Sequence, residues 1–390
     1  MKKIFNSNAF EKMLATLIAI VAGLLFGLII MLLINPSMAL GGFGAILSAG
    51  FLNGGESLGE VLFKATPLII TGLAVAFAFK TGLFNIGVSG QLMIGAFLAV
   101  YVGVKWNLPP SIHWLVAILA GIFGGMLWAL IPALLKAFRN VHEVVATIMM
   151  NYIAMYMSKM LIEATIYDTV RQEARPVMTG AILPTLGLDK LFGNAQINSG
   201  IVIAILATII VYVLLEKTTF GFQLKAVGFN RNAARYAGVN DKRNIVYSLL
   251  ISGALAGLAG AVLYLAPANA IRLETTYQIS NYGFQGIAVA LLGMSNPIGT
   301  MGAGLFFGYI EAANQELQAW DFKREIIDII SSSIIYFSAF TLFFQRYSHK
   351  FMMWLAKVFG QKEVAVAEAV TEEVKDETSA KGEKEDGTNI

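Results

Sequence analysis

The sequence EKTTFGFQLKAVGFNRNAARYAGVNDKR, from Glu216 to Arg243, is a polar interval between two strongly apolar segments. Its basic residues are Lys217, Lys225, Arg231, Arg235, Lys242 and Arg243. Asn230 is a favourable N-cap, the alanines that follow it favour helix, and Gly238 is a natural stop. We therefore predict a short basic helix here, and we name residues 216–243 the basic segment. The same pattern is also typical of a positive loop that only orients a membrane protein.

The composition of the chain is that of an integral membrane protein. Of its 390 residues, 57% are hydrophobic and 14% are charged, and the mean hydropathy is +0.68. Soluble domains carry about 25% charged residues. The chain has no cysteine, which excludes disulfides and thiolate metal sites, and its three histidines lie far apart. We expect no metal and no cofactor, and the dispersed basic residues do not favour nucleic-acid binding.

Apolar stretches of about 20 residues, the length that crosses a bilayer, predict an all-α polytopic bundle of about ten transmembrane spans. The predicted spans are about 13–34, 61–79, 86–104, 114–135, 144–163, 199–215, 244–265, 283–294, 300–313 and 325–345. Pro297 interrupts 283–313, so this segment is either two short spans or one kinked span, which would make nine. The first span has no small-residue cleavage site after it and is expected to be retained.

Charge predicts the orientation of these spans. Of the 24 Lys and Arg residues in 1–360, 15 fall on the inner side if both termini are cytoplasmic, as the positive-inside rule requires. The Gly-rich stretch 35–60 and the long stretch 164–198 are then external loops. We expect 1–360 to form the transmembrane domain. The acidic stretch 361–390, with 4 Lys against 9 Asp and Glu, is expected to be a disordered cytoplasmic tail.

Pairs of glycines four residues apart occur on four predicted spans, where they would let helix backbones approach closely. The pairs are Gly23/Gly27, Gly121/Gly125, Gly253/Gly257 and Gly304/Gly308. We interpret them as packing residues.

Several uncharged polar residues lie within or at the ends of the spans, where they are costly and often functional. The candidates for a translocation path are Asn85, Ser89, Gln91, Asn151, Tyr152, Gln285 and Asn314. Amides and hydroxyls can bind a neutral polar solute without the desolvation cost of a charge, which favours a sugar-like or nucleoside-like cargo over an ion. The alternative for each residue is that it only bridges two helices.

The sequence offers no support for catalysis in this chain. It contains no G-x-x-x-x-G-K-[ST] phosphate loop, no H-E-x-x-H and no G-x-S-x-G. A secondary transporter would need buried carboxylates for its coupling ions, and the spans offer few. A membrane scaffold without transport activity is the other alternative.

Four segments together resemble the permeases of ABC importers for ribose-type sugars, nucleosides and branched-chain amino acids. They are FNIGVSGQ (84–91), EVVATIMMNY (143–152), AVGFN with AARYAG (226–238), and GFQGIAVALLG with NPIG (283–299). The resemblance covers about 60–345 and is strongest to the nucleoside permeases that work with a basic-membrane-protein lipoprotein. It implies a type II importer fold in the bacterial cell membrane, with nucleosides as cargo and a simple sugar such as ribose as the alternative.

The resemblance also implies a role for the basic segment, whose helix would be the coupling helix that docks on a separate ATPase subunit. The implied contact residues are Phe229, Asn230, Ala233, Ala234, Arg235, Tyr236 and Gly238. The other implied partners are a second permease subunit, either related or identical, and an extracytoplasmic substrate-binding lipoprotein. Relatives often carry an acidic residue at the position of Ser89, so no charge-based role is expected there.

Overall fold

The computed structural model describes residues 8–194, 196–267, 272–273, 277–323 and 325–339. Residues Leu25–Ile335 form one compact unit, and all the packing described below lies within it. The described residues of a second unit, 8–24 and 336–339, are helical. The predicted acidic tail, 361–390, lies outside the described residues.

Helices dominate the described chain. They are α1 (Asn8–Ile34), α2 (Pro36–Ser48), α3 (Gly55–Lys80), α4 (Val88–Lys105), α5 (Pro110–Arg139), α6 (Glu143–Thr165), α7 (Leu188–Phe192), α8 (Gly200–Glu216), α9 (Thr219–Phe229), α10 (Arg231–Tyr236), α11 (Asp241–Tyr264), α12 (Asn281–Leu292), α13 (Pro297–Gln318) and α14 (Glu325–Ala339). A two-stranded antiparallel hairpin, β1 (Tyr167–Asp168) and β2 (Glu173–Ala174), and a 3-10 turn (Thr179–Ala181) lie between α6 and α7.

Helix α3 is the centre of the bundle. Its residues 65–78 are all buried, as expected of a helix surrounded by other helices, and Ile69, Ile70 and Leu73 are fully buried. It packs against α11, α12 and α13 on different faces. The remaining core of the bundle is formed where α11 packs against α4 and α5.

Glycines bring α4, α5 and α11 into backbone contact. A Cβ on Gly257 of α11 would overlap the carbonyl oxygen of Gly121 on α5, and a Cβ on Gly125 would lie 2.7 Å from the Cα of Gly257. Gly95 of α4 lies against the same two backbones. The predicted packing role of these glycine pairs is confirmed, because no side chain fits between the helices here.

Each predicted span overlaps a helix, and residues 340–345 of the last predicted span lie outside the described residues. Six helices are long and apolar enough to cross a membrane, namely α1, α3, α4, α5, α6 and α11. The pair α8 and α9, bent by 71° at its junction, makes a seventh if counted as one span. Helix α12, with 12 residues, does not reach that length.

The break predicted near Pro297 is confirmed. Helix α12 ends at Leu292, and Met294 and Ser295 both take left-handed backbone conformations, with φ of 55° and 52°. Asn296 then caps α13, because its side-chain oxygen accepts hydrogen bonds from the backbone N–H of Ile298 (3.0 Å) and Gly299 (3.3 Å). Pro297 occupies the first helical position, where its missing N–H costs nothing.

The prediction that 35–60 is a loop is wrong. Helix α2 occupies Pro36–Ser48, and α3 begins at Gly55. The glycines in α2 serve packing: a Cβ on Gly41 would overlap the ring of Trp320, and one on Gly42 would lie 2.9 Å from the ring of Phe322. Aromatic contact on the bare glycine face thus stabilises a helix that glycine content alone disfavours.

The stretch 164–198 is more ordered than a simple loop. Ala174 of β2 donates its N–H to the carbonyl of Leu273 (2.9 Å), and Glu173 forms an ion pair with Arg272. Leu183 donates its N–H to the carbonyl of Leu265 (2.9 Å). The stretch is therefore tied to the chain that follows α11.

Candidate functional site

The basic segment contains the predicted helix, and a second helix that was not predicted. Helix α10 begins after Asn230, whose side-chain oxygen accepts the N–H of Ala233 at 3.0 Å, and Gly238 follows it with φ of 83°. The predicted cap and stop are therefore confirmed. Helix α9 precedes α10 and is capped by Thr218, whose hydroxyl oxygen accepts the N–H of Gly221 at 3.0 Å. Threonine at this position is a sequence signal from which α9 could have been predicted.

Helices α9 and α10 have one packed face and one exposed face. Val227 and Ala234 are buried in a small cluster with side chains of α3, α5 and α11. Phe229 and Tyr236 are 91% and 95% exposed, so their rings contact almost nothing in this chain. Two large aromatic side chains on a polar surface are typical of a protein–protein contact.

The predicted contact residues therefore divide between the two faces. Those on the exposed face are Phe229, Asn230, Ala233, Arg235, Tyr236 and Gly238. Ala234 alone is buried, and its methyl group packs α10 against the bundle.

Arg231 ties α10 to two other elements, a role that the sequence analysis missed. Its Nε lies 2.6 Å from Oδ2 of Asp241 at the start of α11, and its Nη1 donates to Oδ1 of Asn140 (3.3 Å) at the end of α5. Asn140 takes a left-handed backbone conformation, with φ of 51°, and this conformation ends α5. The forked guanidinium thus links three chain segments through two of its nitrogen atoms.

The amides predicted to line a path are largely engaged in internal hydrogen bonds. Asn85 is fully buried, and its Nδ2 donates to Oε1 of Gln91 (3.0 Å) and to Oγ of Ser252 (2.8 Å). Its Oδ1 accepts the N–H of Gly87 at 3.0 Å. Ser252 in turn donates to the carbonyl of Ala74 at 2.6 Å. This network joins α3, α4 and α11.

Asn151 of α6 binds the backbone of the turn that joins α3 to α4 and of the first residues of α4. Its Oδ1 accepts the N–H of Gly90 (2.8 Å), and its Nδ2 donates to the carbonyl of Ile86 (3.0 Å). Asn85 and Asn151 therefore bridge separate elements of the bundle, which was the alternative interpretation, and Gln91 is engaged by Asn85.

The other four predicted path residues are placed differently. Ser89 is fully buried against Gly283 of α12, and within the described chain its hydroxyl has no hydrogen-bond partner. Tyr152 is 49% exposed on the outer face of α6, and Gln285 of α12 is half-buried. Asn314 of α13 is buried, and its Oδ1 lacks a partner among the described residues. No contact between described residues joins these four into one site.

Comparison with known proteins identifies the family. The family model described as "Branched-chain amino acid transport system / permease component" matches residues 57–339. The guanosine ABC transporter permease protein NupP of Bacillus subtilis is 40% identical over 352 residues, covering 89% of this chain and 97% of that protein. The nucleoside ABC transporter permease protein NupB of Lactococcus lactis is 35% identical over 342 residues, covering 85% and 92%.

A sugar permease is a more distant relative. The glucose ABC transporter permease protein TsgB13 of Haloferax volcanii is 32% identical over 298 residues, covering 74% of this chain and 78% of that protein. No solved structure matches the chain. The family match spans the central helices, the amide bridges and the basic segment alike. The chain is a multi-pass membrane protein that belongs to this family of ABC transporter permease components.

Proposed function

We propose that this chain is the membrane-spanning permease subunit of an ATP-driven importer for nucleosides. The observation that carries the proposal is the similarity, at 40% and 35% identity over most of the chain, to permeases named for guanosine and nucleoside transport. A simple sugar such as ribose is the second candidate cargo, favoured by the 32% identity to a glucose permease. An ion-coupled transporter lacks comparable support.

The proposed architecture is the type II importer arrangement, with ten spans and both termini in the cytoplasm. Six spans correspond to helices of sufficient length, and α8 forms a seventh that ends where the 71° bend to α9 begins. Helix α12, with 12 residues, and helix α13, with 22 residues, form two more on either side of the break near Pro297, and α14 forms the last. At the break between them, the side-chain oxygen of Asn296 caps the first turn of α13.

Helix α10 is the proposed contact with a separate ATPase subunit. Its exposed aromatic rings and Arg235 would enter a cleft of the partner, where a carboxylate could pair with the guanidinium. Ala233 supplies a small surface that permits close approach. Arg231 and Ala234 hold the helix against the bundle, so that force applied to α10 acts on the bundle rather than on a flexible loop.

The proposed translocation path is lined by Tyr152, Gln285 and Asn314, and Ser89 lies at its wall. Ser89 and Asn314 each have a polar atom with no hydrogen-bond partner among the described residues. The side chains of Tyr152 and Gln285 are at least partly exposed. Hydroxyl and amide groups suit the ribose hydroxyls and base edges of a nucleoside. The path is also shaped indirectly, by hydrogen bonds that hold the neighbouring helices in position. These bonds are made by Asn85, Gln91 and Asn151. A second permease subunit would close the path, and a substrate-binding lipoprotein would deliver cargo to it.

Uptake by the complete importer, assembled with its ATPase and binding protein in proteoliposomes, tests this function. Labelled guanosine and uridine should accumulate only when ATP is supplied, and excess unlabelled nucleoside should compete while excess ribose should not. A matched preparation with a proton or sodium gradient and no ATP is the control. Competition by ribose but not by nucleosides would show that the cargo is a sugar and not a nucleoside. Gradient-driven uptake without ATP would contradict the proposal that the protein belongs to an ATP-driven importer.

A further inference from the structure

The turn between α3 and α4, residues Thr81–Gly87, contacts the basic segment at one end and the bundle at the other. A Cβ on Gly228, at the end of α9, would overlap the carbonyl oxygen of Lys80 and would lie 3.0 Å from the backbone nitrogen of Gly82. Gly82 itself has φ of 71°, a conformation that suits glycine. The two backbones therefore touch without an intervening side chain.

The same turn also contacts the basic segment through a side chain. Leu83 is 3% exposed and packs in the cluster that contains Val227 of α9 and Ala234 of α10. Packed protein interiors are nearly incompressible. A displacement of α9 and α10 toward the bundle must therefore move the turn as well.

The far end of the turn is held by the two asparagines. Asn85 joins α4 and α11 through Gln91 and Ser252, and Asn151 of α6 binds the backbone at Ile86 and Gly90. Hydrogen bonds inside a bundle are strong because water does not compete for them. Movement of the turn is therefore passed to α4, α6 and α11 and is not absorbed by loose side chains.

We propose that the Thr81–Gly87 turn transmits displacement of the α9–α10 helices to α4, α6 and α11, with Asn85 and Asn151 as positioning residues. This inference rests on the proposed function, in which an ATPase moves α10. It assigns to the backbone contact between Gly228 and the α3–α4 turn a role in transmission beside the direct anchors of Arg231 and Ala234. Helix α6 carries Tyr152, and α4 carries Ser89, so the transmitted movement reaches the proposed path.

Gly228→Ala tests the contact, because the added methyl group must push α9 away from the turn while leaving the exposed face of α10 unchanged. In the complete importer we expect ATP hydrolysis to continue and guanosine uptake per ATP to fall by about fivefold or more, a typical size for coupling between sites. Gly302→Ala is the matched control, since a Cβ there meets nothing within 4 Å. An unchanged ratio of uptake to hydrolysis in Gly228→Ala would overturn the proposal. A parallel loss of uptake and hydrolysis would overturn it as well, because the contact would then serve docking alone.

Hydrogen–deuterium exchange on the unmodified importer supplies a second measurement that needs neither cargo nor a variant. We expect the amides of 81–91 and of 226–236 to change protection together between the nucleotide-free state and the state trapped with a non-hydrolysable ATP analogue. A change confined to 226–236 would overturn the proposed transmission. Because this measurement does not involve cargo, it separates a failure of the transmission from a wrong assignment of the nucleoside.

Discussion

At the scale of single residues, close packing at glycines and hydrogen bonds of buried amides hold the helices of this bundle together. Gly257 and Gly121 allow α11 and α5 to meet backbone to backbone. Asn85 and Asn151 then supply hydrogen bonds that are worth more in the dry interior than in water. The same amides that looked available for cargo in the sequence are engaged by partners, because an unsatisfied buried amide is costly.

Gly257→Ala should destabilise the protein. The new methyl group would overlap the carbonyl of Gly121, and overpacking of this kind costs about 1–3 kcal/mol. Unfolding of the purified chain in mixed detergent micelles measures the loss. The control Gly302→Ala, also inside a helix but facing open space, should be neutral or slightly stabilising. Equal stability of the two variants would contradict the backbone contact.

At the scale of elements, the basic segment is a folded unit and not a loop that merely carries positive charge. Helices α9 and α10 share a buried face at Val227 and Ala234, and Arg231 bridges to Asp241 and Asn140. A loop that served only the positive-inside rule would need no such anchors. The positive charge of Arg235, in contrast, lies on the exposed face.

Arg235→Glu should reduce transport by the importer without reducing the membrane expression of this chain. Placing a negative charge where a carboxylate of the ATPase is expected costs several kcal/mol, so nucleoside uptake should fall by at least roughly tenfold. Uptake and copurification of the ATPase are the measurements, with membrane expression measured alongside. Lys217→Glu makes the same charge change at an exposed position of the basic segment outside α10. If Arg235→Glu transported as well as Lys217→Glu, the proposed docking face would be wrong.

At the scale of the whole molecule, the proposed orientation places α10 in the cytoplasm and the 164–198 stretch outside. The positions of the basic residues favour this orientation. Both regions offer well-exposed side chains, with Tyr236 at 95% and Leu191 at 73%. The opposite orientation would remove α10 from any cytoplasmic ATPase.

Single cysteines can report the orientation directly, since the natural chain has none. A membrane-impermeant maleimide should label Leu191→Cys in intact cells. In cells that lack the ATPase, which would otherwise cover α10, it should label Tyr236→Cys only in inside-out vesicles, because the bilayer excludes the charged reagent from the other face. The cysteine-free parent protein is the control for background labelling. Labelling of Tyr236→Cys from the outside would contradict the proposed topology and, with it, the contact with an ATPase.

The sequence was sufficient for features that depend on neighbouring residues alone. Long apolar runs, the Asn230 cap, the Gly238 stop and the interruption at Pro297 are local, so the positions of the helices, of α10 and of the α12–α13 break follow from them. Helix α2 was missed because its stability depends on rings of Trp320 and Phe322, almost 280 residues later in the chain. The bridge from Asn85 to Ser252 joins residues 167 positions apart, and no pattern of spacing could indicate it. Which amides are engaged, and which face of α10 is exposed, depends on partners that packing brings together from distant parts of the chain.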